Sequence, residues 1–150
     1  MPHTFDDKKA VRIGKNVHNE VDRLVLGDDV KRCEHVSVEG PEMNIGDYTL
    51  IREITQLGSN SSLSIGMCCW IGQGVIVDSR EHSTIGNGVG IGAHSQLWTH
   101  MRFGDTLQGC NWDSQTAMRV DDDVWFVGHC LVSPIHAGEK HVDARISRHA

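Results

Sequence analysis

A chain of 150 residues with a formal net charge of -6, 16 glycines, 3 prolines and only 5% aromatic residues suits a single domain, 1–150, with a narrow aliphatic interior. The negative charge excludes the usual nucleic-acid binder, whose surface must displace counterions from phosphates, and nowhere is there the run of about 18 apolar residues that a membrane-spanning helix requires. Cysteines at 33, 68, 69, 110 and 130 form neither CxxC pairs nor the dense spacing of a secreted disulfide scaffold, so reduced thiols in a soluble, untargeted, cytoplasmic protein are expected.

In chain order, residues 1–44 read as irregular or degraded turns of a repeat. Ile13, Gly14 and Val17 hint at one turn, and Leu26, Gly27, Val30, Val36 and Val38 at another. From 45 to 137 the repeat becomes regular: an aliphatic residue recurs at every sixth position, commonly followed by Gly or Asp and, four positions on, by a small or β-branched residue. One register runs Ile45, Ile51, Leu57; Ile65, Ile71, Val77; Ile85, Ile91, Leu97; Val120, Phe126, Val132. Val, Ile, Leu and Phe make up about a quarter of the chain, so chance would fill only about three of these twelve positions. A short strand and a corner in each hexad predict three flat sides and about 18 residues per turn, with successive turns stacked through parallel hydrogen bonds. Gly46, Gly58, Gly66, Gly72, Gly86 and Gly92, with Asp78 and Asp121, read as corner residues suited to unusual backbone angles. Two-residue offsets, Leu63 with Ser64 and Ser83 with Thr84, read as enlarged corners. Residues 103–119 leave the repeat as a projecting loop, and 138–150 form a charged tail.

The stretches Ile65-Gly-Met-Cys-Cys-Trp-Ile-Gly-Gln-Gly-Val, Ile85-Gly-Asn-Gly-Val-Gly-Ile-Gly-Ala-His and Val120-Asp-Asp-Asp-Val-Trp-Phe-Val-Gly resemble the hexapeptide-repeat acyltransferases, over about residues 45–137. The resemblance implies an all-β, single-stranded, left-handed parallel β-helix that assembles as a homotrimer and binds acyl-CoA between neighbouring subunits. Handedness comes from the resemblance alone, since ordinary crossovers are right-handed. The implied activity moves an acetyl or related acyl group from acetyl-CoA or another acyl-CoA to a hydroxyl or amine of a sugar, nucleotide sugar or similar small acceptor, with no resident metal. Leu97-Trp-Thr-His100, then a loop, then Asp121-Asp-Asp-Val-Trp125 is similar to the region where many of these enzymes carry a catalytic histidine. It implies His100 as general base and Trp125 near coenzyme A. Trp125 equally suits packing against the loop or a neighbouring subunit. Gly128 would let a pantetheine arm approach the backbone, and equally suits a plain corner.

Spacing places His82, His100 and His136 near one corner, the one from which the loop departs. An imidazole there titrates in the range that a base for acyl transfer needs. His82 competes with His100 for that role, with Glu81 as the carboxylate that would orient it. His136 reads as a corner residue and Cys110 as a loop thiol, while Asp105 and Asp113 could hold an acceptor hydroxyl or amine. Two other functions stay open. One is a metal-dependent hydratase like the γ-class carbonic anhydrases: His94 and His129 occupy the same place in consecutive turns, about 5 Å apart, but zinc needs a third ligand that the sequence does not name. The other is a noncatalytic assembly module.

Overall fold

The computed structural model describes residues 11–103 and 112–132, with 101–103 and 112–114 described by backbone alone. These residues contain no helix, hence none long and apolar enough to cross a membrane. The first side of the coil is a six-stranded parallel ladder: Arg12–Ile13, Lys31–Arg32, Leu50–Ile51, Trp70–Ile71, Gly90–Ile91 and Trp125–Phe126. On the second side, Gln56–Ser59, Ile76–Ser79, Gln96–Trp98 and Leu131–Val132 stack on the start of Ser37–Ile45. On the third, Ser62–Ile65, Ser83–Ile85 and Arg119–Val120 stack on its end. The nine-residue strands His18–Leu26 and Ser37–Ile45 run through both of these sides and pair with each other. The chain is a parallel β-helix, as the hexad pattern predicts.

All twelve hexad aliphatics are buried. They stack in register as Ile45–Ile65–Ile85–Val120, Ile51–Ile71–Ile91–Phe126 and Leu57–Val77–Leu97–Val132. No turn buries its own apolar residues alone, so the core exists only through stacking. The turn is longer than 18 residues: Ile51, Ile71 and Ile91 are spaced by 20. The additional residues are not enlarged corners, because Leu63 and Ser64 lie within Ser62–Ile65, and Ser83 and Thr84 within Ser83–Ile85. Side chains alternate with a period of two, so adding two residues to a strand preserves the inward phase. The third side thereby gains a second inward row, Met43, Leu63 and Ser83, all buried.

The glycines that follow the aliphatics are not the residues with unusual backbone angles. Those stand three positions after the aliphatic, as in Tyr48 (φ 58°), Ile54 (60°), Cys68 (56°) and Gly74 (64°). Gly46 is required by close stacking instead, since a Cβ there would come within 2.6 Å of the Gly66 carbonyl carbon. Asp78, read as a corner residue, lies within the strand Ile76–Ser79, as Gly58 does within Gln56–Ser59. At the corner between the third and first sides, carboxylate and amide oxygens cap the turn beneath: Asp28 N–H donates to Asp47 Oδ1 (2.7 Å), Met67 N–H to Asn87 Oδ1 (2.9 Å) and Asn87 N–H to Asp122 Oδ1 (2.7 Å).

Two places depart from the pattern. In the N-terminal turns Arg32 occupies the inward position that Ile51, Ile71 and Ile91 hold above it, with 0% exposure. One Nη donates to Asn19 Oδ1 at 2.5 Å, while Nε and the other Nη have no partner among the described residues. Desolvation pushes the Arg32 pKa down to about 10. In the upper turns, the segment predicted as a loop begins and ends as an antiparallel β-hairpin, His100–Phe103 against Trp112–Gln115, in register from His100↔Gln115 to Phe103↔Trp112. Thr116 N–H donates to the Thr99 carbonyl at 2.9 Å and closes its base. The hairpin leaves from the corner between the second and third sides.

Candidate functional site

At that corner hydroxyl residues replace the aliphatics. Ser79 and Ser83 are fully buried and share a hydrogen bond of 2.6 Å between their hydroxyls. Arg80 N–H donates to Thr99 Oγ1 (2.8 Å) and Met118 N–H to Ser83 Oγ (3.1 Å). These bonds satisfy backbone groups that the bend would otherwise strand, and they tie both ends of the insertion to the turn beneath. His100 follows Thr99 and is held by that network at the hairpin's root.

The His100 side chain is only 18% exposed, and its Nδ1 lies 3.9 Å from Asp78 Oδ1. That is ion-pair distance, beyond hydrogen-bond reach. Nδ1 itself is buried with no hydrogen-bond partner among the described residues. The imidazole stands edge-on to Trp98, with ring centroids 5.6 Å apart at 71°. Asp78 and Trp98 are paired in register, so both project from the outer face of the second side. Trp98 Nε1 donates to Gln96 Oε1 at 3.1 Å. Beside them is a hollow of about 150 Å³ lined by Glu39, Gln56, Gly58, Ile76, Asp78 and Trp98, among others. An imidazole so placed has a carboxylate facing one ring nitrogen, the arrangement of a base held by a third group.

His82 sits at the same corner but on the third side, exposed, with Nδ1 against Ser62 Oγ. Among the described residues Glu81 is engaged through its backbone carbonyl, which accepts from Ser79 Oγ at 2.5 Å, and not through a carboxylate contact to His82. His136, Cys110 and Asp105 lie outside the described residues, as does the side chain of Asp113. Trp125 projects from the first side and is 72% exposed. Its ring covers Gly90, where a Cβ would come 2.5 Å from the indole. Gly128 stacks over Gly92 at the next corner. The first side faces away from the corner between the other two, so Trp125 and His100 do not share a site within one chain.

His94 and His129 stack as their spacing predicts, with centroids 5.3 Å apart at 22°. Both adopt left-handed backbone angles, 58° and 60°. Gly74 leaves the space beneath them, since a Cβ there would come 2.6 Å from His94 Nδ1. Among the described residues no group of three or more His, Cys, Asp or Glu could hold a metal.

Asp78 and the hollow escaped the sequence reading. The available signal was the ladder interval, since Asp78 precedes Trp98 by 20 residues, but Asp78 had been absorbed into the corner pattern. No protein-family model matches the chain, and no curated protein matches it in sequence.

Proposed function

We propose that this chain is an acyl-CoA-dependent acyltransferase, moving an acetyl or related group to a hydroxyl or amine of a small acceptor such as a sugar, with His100 as general base. The observation that carries the reading is His100 at the hairpin's root against Asp78 and Trp98, two residues that also line the hollow. Coenzyme A would supply the activated thioester. As the acceptor oxygen or nitrogen bonds to the thioester carbonyl, its proton passes to His100, and the departing sulfur takes a proton as the C–S bond breaks. Asp78 beside Nδ1 would orient the ring and leave Nε2 to meet the acceptor.

Trp125 presents the most exposed large apolar side chain among the described residues, a surface suited to stacking an adenine or packing a pantetheine arm. It meets His100 only if a second copy brings its first side to this corner. A head-to-tail contact of that kind gives a ring only where its rotation closes and a filament otherwise; the proposed homotrimer is the closed three-fold case. A cytoplasmic location would suit cysteines that form neither CxxC pairs nor a dense disulfide pattern.

The test is a mass-spectrometric screen for acetylated products with acetyl-CoA and a panel of sugars, amino sugars and nucleotide sugars, run beside His100→Ala and His82→Ala. Loss of product in the first variant alone supports the assignment. Loss in the second alone moves the base to His82, and full activity in both removes the histidine mechanism. A second reading, a metal-dependent hydratase, draws on the His94–His129 stack with a third ligand from a neighbouring copy. Stoichiometric zinc that is lost in His94→Ala would favour it.

A further inference from the structure

We propose that the hollow beside His100 recognises an amine-bearing single ring, with the ammonium seated over Gly58 between Glu39 and Asp78. The role of this recognition in acyl transfer rests on the reading above, whereas binding itself does not. Glu20, Glu39, Gly58, Asp78 and Trp98 follow one another across adjacent strands in register, so they form one outward column on the second side. Like charges opposite one another across parallel strands repel. Glu20 is relieved by His18 at 2.9 Å, and Asp78 faces His100 at 3.9 Å. Among the described residues Glu39 has no hydrogen-bond or ionic partner and no cationic side chain lines the hollow. Gly58 interrupts the column with an empty place one residue wide between two carboxylates.

Glu39 and Asp78 are two strands apart, about 9.6 Å between backbones, so both side chains can lean over the glycine toward a cation about 3 Å from each. Trp98, one strand beyond Asp78, lines the same hollow and offers an apolar face to the ring that carries the ammonium. The hollow, about 150 Å³ and open on its outer side, seats part of one ring with the rest in solvent. A nucleotide sugar would bring a diphosphate against the same two carboxylates. The charge of the hollow therefore narrows the acceptor to amino sugars and similar cyclic amines.

Binding is measured without acetyl-CoA, by following backbone amide and indole NMR signals during titration with glucosamine, glucose and glucose 6-phosphate. Glucosamine is expected to bind about tenfold more tightly than glucose, the size of one charge-assisted hydrogen bond, and glucose 6-phosphate more weakly than either. Glu39→Gln, a substitution of the same shape at an exposed position, should remove most of the glucosamine preference and leave glucose binding unchanged. Equal binding of the two sugars, tighter binding of the phosphate, or a preference that survives Glu39→Gln overturns the proposal. Selective glucosamine binding without acetylation by acetyl-CoA would support this recognition and count against the transferase. Acetylation of other acceptors with no glucosamine binding would do the reverse.

Discussion

In the turn that contains Arg32 the interior abandons the aliphatic rule while the backbone stays in register, Lys31–Arg32 pairing with the strand on either side. In the turn that contains His100 the interior is kept, Leu97 and Val120 holding their places in the ladders, and the outline departs as a hairpin. Register in this solenoid is thus carried by the parallel backbone ladders and the sum of stacked side chains, and survives a local change in either. The energetic consequences differ. A charge turned inward meets a core that, among the described residues, offers Arg32 one partner for three nitrogens. A hairpin turned outward costs little beyond loop closure, which grows only with the logarithm of length.

The largest effect is expected where the interior is most regular. Ile71→Asp, at a position with 0% exposure, places an unpaired carboxylate in the aliphatic ladder at a cost of several kcal/mol, and circular dichroism should report an unfolded chain. A folded variant would mean that the ladders do not run through Ile71. At the polar end the sign reverses: Arg32→Met removes a buried charge whose desolvation depresses its pKa and should stabilise the fold, on the order of 1–4 kcal/mol, read from the urea midpoint. The pH dependence follows from the same shift. Below about 10 Arg32 is charged in both states and the desolvation penalty is complete. Between about 10 and the ordinary arginine range the unfolded chain binds more protons than the folded one, so wild-type stability should rise with pH relative to Arg32→Met. An unchanged difference between the two proteins across that window would mean that Arg32 is well solvated.

At the hairpin end, changes should spare the fold and reach the chemistry. On the proposed acyl transfer, His100→Ala should lower turnover about a hundredfold, equivalent to about 2.7 kcal/mol in barrier, with the thermal midpoint and the proposed acetyl-CoA binding retained. A matching fall in thermal stability would make His100 a structural residue of the corner. Smallest of all, replacing residues 101–114 by Asn-Gly, which can join His100 to Gln115 as a two-residue turn, should change stability by about 1 kcal/mol or less. Loss of folding in that chimera would show that the insertion is part of the core.

The hexad spacing, read without coordinates, was enough to place all twelve core aliphatics and the stacked His94–His129 pair, because both depend only on the interval between turns. The position of Leu63 and Ser64 was misread because the pleat, with its period of two, absorbs an even insertion without changing which residues face inward. Arg32 could not be read as buried, since its burial comes from strands 19 residues away on either side and not from any preference of its own. Asp78 and His100 meet only because one turn stacks on the next, and Trp125 lies on another side of the prism because a corner intervenes after every hexad. The interval between aliphatics follows from chain geometry and belongs to the sequence. Which polar side chains come together depends on how the turns register and where the corners fall, so that was decided by the tertiary structure.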